Sequence, residues 1–206
     1  FSGVIKIDPK SERLSLIEPF KAIQSSELLG MKILVKAFGK CTTDHISPAG
    51  KWLTYRGHLD NISNNMFCGA VNSFTKEVGK GKNLLTGQNT IEFSKIARAY
   101  KSANIGWVAI GDDNYGEGSS REHAAMEPRH LGCKAVIAKS FARIAETNLK
   151  KQGLLPLWLV NTADYEKFKE DDSVSIENFS LSAGKNITIT VKHSDSKTDT
   201  VEVSHT

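Results

Sequence analysis

The chain has 206 residues, 39% of them hydrophobic, with 27 basic and 23 acidic side chains for a formal net charge of +4. That is enough apolar material for one large domain or two small ones and argues against a disordered chain. So mild a charge gives no electrostatic footprint for nucleic acid. No apolar run approaches the ~20 residues of a membrane-spanning helix, and Cys41, Cys68 and Cys133, far apart and with no C-x-x-C, build neither a disulfide framework nor a self-contained cysteine metal site.

Residues 1–30 read as a linker arm holding a short alternating strand at Val4-Ile5-Lys6-Ile7, a turn at Pro9 and an apolar stretch from Leu14 to Ile17. Residues 31–206 read as one domain. "MKILVKAF" is a strand in which Ile33, Val35 and Ala37 alternate with lysines, and the polar loop "GKCTTDHISPAG" leaves its C-terminal end. Residues 73–90 form a surface loop rich in Gly, Lys and Asn. "IEFSKIARAYKSAN" follows as an amphipathic helix with Thr90 as its N-cap.

"IGWVAIG" and "KAVIAKSF" are buried strands with room for one short helix between them. "FARIAETNLKKQG" is a helix with Phe141, Ile144, Ala145 and Leu149 on one face and Gly153 at its C-cap, and "LLPLWLV" is the next strand. A helical "ADYEKFKE" leads to two strictly alternating strands, "NITITVKH" and "TDTVEVSH", joined as a hairpin. The order predicts an α/β fold, a mixed sheet with flanking helices and an antiparallel element beside the α/β unit.

Two loops leave the C-terminal ends of predicted strands, where α/β proteins bind ligands. In the loop "NYGEGSSREHAAMEPRHLGC", glycines let the backbone approach a ligand closely, and the following helix N-terminus favours an anion. Ser119 and Glu122 have capping-box spacing, which on its own would leave Arg121 a surface residue. The G-x-G lacks a third glycine and no G-K-S/T follows, so dinucleotide and P-loop readings fail. His123 and His130 read as hydrogen-bonded helix residues, and Glu127 and Arg129 as surface contacts. The earlier loop carries Asp44, His45, Ser47, Arg56, His58 and Asp60. A metal site of His45 and His58 with Asp44 or Asp60 lacks compact ligand spacing, and Asp44 and Ser47 fit local turn bonding equally well.

"GKCTTDHISPAGKW", "RGHLDNISNN", "GDDNYGEGSSREHAAMEPRHLG" and "KSFARIAETNLKKQGLLPL" together resemble the C-terminal swivelling domain of mitochondrial-type aconitases, a resemblance that runs from about residue 3 to residue 204. It implies a swivelling β/β/α domain and a hydro-lyase of the mitochondrial matrix or the bacterial cytoplasm. That enzyme interconverts citrate and isocitrate through cis-aconitate, with a 4Fe–4S cluster bound by other domains. By motif position the resemblance makes Ser119 the base and has Arg56, Ser120 and Arg121 bind substrate carboxylates, with Asp44 and Ser47 in support.

It implies as partners the cluster-bearing N-terminal domains of the same enzyme, a full-length monomer, and a hinge near residues 1–30. The family's three cluster cysteines are absent here, so no metal is expected on this chain and the domain alone is expected to be inactive. The start at Phe1 and the missing C-terminal extension suggest a piece of a longer protein. Small subunits of isopropylmalate isomerase share the G-S-S-R-E core but lack the long D-H-I-S and R-G-H-L-D-N-I-S-N-N runs, so a free-standing small subunit is the alternative enzyme. An RNA-binding domain of an iron-regulatory relative is the alternative binding module, and a pure interaction domain is the plainest reading.

Overall fold

The computed structural model describes residues 3–19, 21–119, 121–182 and 184–206. In chain order the elements are β1 (Met31–Lys36), the one-turn helices α1 (Thr43–Ile46) and α2 (Leu59–Ile62), the short strands β2 (Lys80–Gly81) and β3 (Ile91–Glu92), and α3 (Phe93–Ser102). Then come β4 (Trp107–Gly111), α4 (His123–His130), β5 (Cys133–Ala138), α5 (Arg143–Lys151), β6 (Leu155–Leu159), β7 (Ser173–Ser175), β8 (Ile187–Lys192) and β9 (Thr198–Ser204).

Strands β1, β4, β5 and β6 pair in parallel, as the alternation with helices requires, since each parallel pairing needs a crossover. The antiparallel strands do not stand beside this unit. They close it: β9 pairs with β6, β8 with β9, β7 with β8, and β7 with β1, giving a closed barrel in the order β1-β4-β5-β6-β9-β8-β7. The mixed sheet, flanking helices and C-terminal hairpin are all present. β7 is a strand of only three residues, too short for a periodicity to register, and it escaped the sequence reading.

Period-two alternation divides the apolar residues between two cores. Val108 and Ile110 of β4, Ala135 and Ile137 of β5, Ile189 and Val191 of β8, and Val201 and Val203 of β9 fill the barrel. Trp107 and Ala109, on the other face of β4, pack with Ile96, Ala97 and Tyr100 of α3 and with Leu149 of α5. In β1 the alternation breaks, because a register irregularity between Ile33 and Val35 leaves Ile33 in the barrel while Leu34, Val35 and Ala37 join the helix-side core. Lys36, expected on a polar face, is 3% exposed. Its ammonium donates to the Phe168 carbonyl at 3.2 Å and lies 4.1 Å from the centre of the Tyr165 ring.

Four local expectations change. Val4-Ile5-Lys6-Ile7 is not a strand, because no neighbouring strand offers a ladder to its backbone and Val4 is 83% exposed. Thr90 is not the N-cap of α3: it has φ +61°, Ile91–Glu92 pair with Lys80–Gly81, and Glu92 takes the cap position. In α5 Ile144 is 51% exposed rather than on the packed face, and Gly153, at φ +73°, provides the left-handed residue just past Gln152. "ADYEKFKE" is represented by a 3-10 turn over Thr162–Lys167.

His193, at the end of β8, ties the closing strands together. Its Nδ1 lies 2.8 Å from Asp172 Oδ1 and its Nε2 3.0 Å from Asp199 Oδ2. The hydrogen bonds to Asp172 and Asp199 raise the imidazole pKa. A raised pKa stabilises the fold below the unfolded value, about 6.5 for histidine, and the contribution is lost as pH rises through the folded value. His193→Gln is expected to lower the thermal midpoint by about 4 °C at pH 5.5 and by less at pH 8.5. Equal losses at both pH values would show that no charged imidazole is involved.

Candidate active site

Three loops meet at the C-terminal ends of the adjacent parallel strands β1, β4 and β5. The loop after β4 is pinned to the loop after β1 by two backbone bonds, Gly116 N to Cys41 O at 2.7 Å and Thr43 N to Glu117 O at 2.9 Å. It is pinned to the loop after β5 by Tyr115 N to Ser140 O at 2.9 Å and Ala142 N to Tyr115 O at 3.0 Å. These bonds meet the backbone polar groups that a buried turn would otherwise leave unpaired.

Glycines permit the close approach. At Gly116, with φ +79°, a Cβ would stand 2.3 Å from the Ala145 Cβ, and at Gly118, with φ +118°, 3.0 Å from Thr43 Oγ1. Gly116→Ala is therefore expected to destabilise the domain by about 2 kcal/mol through left-handed strain and overpacking, read from denaturant midpoints. An unchanged midpoint would mean that α5 yields freely.

The turn lines a cavity of about 260 Å³, bounded by Thr43, Gly118, Ser119, Arg121, Arg143 and Asn148 among others. Ser119 is exposed, and its hydroxyl makes no hydrogen bond among the described residues. Ser120 lies outside the described residues. Arg121 is held by one nitrogen: Nη1 donates to Asp44 Oδ1 and, at 2.9 Å, to the Ser47 carbonyl. With both Nη1 protons engaged, the Nε–Nη2 edge presents two parallel donors, the geometry a carboxylate accepts in a two-pronged pair. Arg56 does not line this cavity. Its side chain is exposed, and its backbone carbonyl lies 2.9 Å from His123 Nε2, two residues beyond Arg121.

Asp44, Ser47, Ser119 and Arg121 are thus brought together at one turn, and Arg56 is fixed at its margin. The capping-box reading fails. α4 begins at His123, four residues past Ser119, its N-cap Glu122 has helical φ and ψ, and no side chain caps it. Asp44 and Ser47 are not engaged in local turn bonding alone. The Ser47 hydroxyl donates to Glu127 Oε1 at 2.7 Å.

Glu127 is not a surface residue but 0% exposed. Burial pushes its carboxyl up to about 9, against the opposing pull of the Ser47 hydrogen bond. A readable sign of its burial was present: Ala124, Glu127 and Leu131 have the i, i+3, i+7 spacing of a helix's inner face. Arg129 donates to the Lys21 carbonyl at 2.9 Å.

The remaining polar residues of the earlier loop serve the scaffold. His58 Nδ1 accepts from Asn61 N at 3.2 Å, and His45 Nδ1 lies 3.1 Å from the Lys40 carbonyl. Asp60 Oδ1 accepts from Arg98 Nη1 at 2.7 Å and pairs with His130 Nε2 at 2.9 Å. Burial raises the Asp60 carboxyl, but Arg98 and His130 outweigh it and hold the group at about 2. Among the described residues no group of three or more His, Cys, Asp or Glu side chains is arranged to hold a metal. The thiols do not fit an iron–sulfur cluster either: Cys41 and Cys133 are buried, which pushes each up to about 12, and Cys68 stands exposed.

The family model described as the aconitase C-terminal domain matches residues 31–162. The chain belongs to the aconitase C-terminal domain family. Strands β7 to β9, which close the barrel of this aconitase domain, follow the matched region.

The chain is 55% identical over 207 residues to the mitochondrial aconitate hydratase of Gracilaria gracilis and 54% identical over 209 residues to the probable mitochondrial aconitate hydratase of Caenorhabditis elegans. Each alignment covers 100% of this chain and 26% of the relative. The chain therefore spans about a quarter of the length of these relatives. A solved structure described as 3-isopropylmalate dehydratase from Methanocaldococcus jannaschii is 25% identical, covering 87% of this chain and 82% of that one, with a TM-score of 0.49, a likeness too loose to carry an assignment.

Proposed function

We propose that this domain is the C-terminal part of a mitochondrial aconitate hydratase, a hydro-lyase that interconverts citrate and isocitrate through cis-aconitate. In this reading residues 31–206 are the swivelling domain and residues 1–30 its linker arm, and the remaining domains of the same protein are its partner. The observation that carries the reading is the state of Arg121, fixed through Nη1 by Asp44 and Ser47 with its other edge offered beside Ser119.

A tricarboxylate calls for permanently charged, planar donors, which Arg121 and Arg56 supply and lysine would not. Ser120, the next residue after Ser119, adds a hydroxyl to the carboxylate contacts. With the substrate so held, the alkoxide of Ser119 takes the proton α to a carboxylate. The C–H electron pair becomes the second bond of the new C=C as the C–O bond on the neighbouring carbon breaks; the proton ends on Ser119 Oγ, and the hydroxyl leaves as water, with the proton and the Lewis acid that its departure needs coming from the other domains. A serine hydroxyl acts in this way only where positive charge favours its ionised form, and Arg121, two residues away, carries that charge. In this reading the family's cluster is bound by the other domains, and the domain alone is expected to be inactive.

Relatives named aconitate hydratase at 54–55% identity, of which this chain is about a quarter, favour a multidomain enzyme over a free-standing isopropylmalate isomerase subunit. The test supplies the full-length, cluster-loaded protein with citrate, isocitrate or 2-isopropylmalate and follows formation of the unsaturated acid. Turnover of citrate and isocitrate is expected. Turnover of 2-isopropylmalate alone would replace this reading with the small-subunit one.

A further inference from the structure

We propose that Glu127 is a positioning residue of the carboxylate site, acting on Arg121 through Ser47. Ser47 stands at the C-cap of α1 with φ −141° and ψ +83°, outside the helical region, so helix geometry does not aim its carbonyl. Two bonds hold the residue: its N–H donates to the Thr43 carbonyl at 2.8 Å, and its hydroxyl donates to Glu127 Oε1 at 2.7 Å. The carbonyl held in this way accepts from Arg121 Nη1 at 2.9 Å. A chain of polar contacts therefore runs from the inner face of α4, through the end of α1, to the arginine beside Ser119.

Packing alone does not account for Glu127. It is 0% exposed and Ser47 is 2% exposed, and Glu127 Oε2, also buried, has no partner among the described residues. An apolar side chain would fill this place on α4 without burying an unpaired polar atom, so the acid is costly for the fold. Since burial keeps the group uncharged at neutral pH, it serves as a neutral acceptor that orients the Ser47 hydroxyl without competing for the arginine.

The proposal rests on the reading of Arg121 as a carboxylate ligand. The experiment uses the full-length, cluster-loaded enzyme and two readouts: kcat and KM for citrate, and equilibrium binding of tricarballylate, a tricarboxylate with no hydroxyl to eliminate. Glu127→Leu is expected to weaken tricarballylate binding and raise the citrate KM by about tenfold, the scale on which an outer partner tunes a binding group, with a smaller change in kcat. Glu127→Gln, whose amide oxygen still accepts from Ser47, is expected to recover both.

Arg121→Lys separates the two ideas. If it weakens tricarballylate binding and Glu127→Leu does not, Glu127 is not a positioning residue; if Arg121→Lys itself leaves binding unchanged, the carboxylate site and the proposal fall together. Should Glu127→Leu not fold, Ser47→Ala, which keeps the carbonyl but loses the link to Glu127, takes its place. Wild-type binding by Ser47→Ala would overturn the proposal.

Discussion

Ser119→Ala in the full-length enzyme is expected to lower kcat by about 10²–10⁴-fold, the range over which a positioned base contributes, while tricarballylate binding stays close to the wild-type value. The split follows from the geometry. The Ser119 hydroxyl makes no bond among the described residues, so its loss disturbs nothing that holds the turn, whereas Arg121 keeps both of its anchors. An interaction used only in the transition state lowers kcat and leaves ground-state binding alone. Retained kcat would remove Ser119 as the base, and equal losses in kcat and binding would make it a ligand instead. The pinned turn makes the result interpretable, since the four backbone bonds from Tyr115, Gly116, Thr43 and Ala142 do not involve the serine side chain.

Glu127→Gln is expected to stabilise the domain by roughly 3 kcal/mol at pH 7. The sign follows from proton binding. The unfolded carboxyl loses its proton near 4.5 and the folded one near 9, so across that window the folded state binds more protons and stability falls as pH rises. Glutamine has no such proton to lose. The difference between the two proteins should be absent below pH 4.5, grow with pH and level off above about 9. Denaturant unfolding of the domain at pH 5, 7 and 8.5 reads it directly. Parallel pH profiles would mean that the folded protein carries Glu127 as a charged group. A substitution that stabilises the fold and keeps the Ser47 contact, beside one that breaks the contact and weakens binding, would separate what this acid costs from what it does.

The class of the fold and the position of the candidate site were legible in the chain, because both are written in short-range patterns. Continuous apolar runs marked β4, β5 and β6, strict alternation marked the β8–β9 hairpin, and two polar loops at strand ends marked the candidate site. The motifs around Ser119, Arg121 and Asp44 were long enough to carry the family. Element ends were less legible. Thr90 and Ser119 both had the chemistry of helix caps, but α3 and α4 begin elsewhere because the preceding residues are claimed by a strand pair and by a turn pinned to its neighbours.

Which groups meet is set by long-range contacts. Closure of the barrel through the three-residue β7 depends on pairings between strands distant in sequence, such as Met31 with Val174, which no local periodicity encodes. Glu127 and Ser47 lie 80 positions apart, and Arg121 and Asp44 lie 77 apart. Each residue alone reads as an ordinary surface group. Their proposed roles depend on three loops converging at one end of parallel strands, where the fold desolvates one carboxyl and aims one arginine. Desolvation and aim belong to surroundings assembled from the whole chain, and so become visible only when the chain is folded.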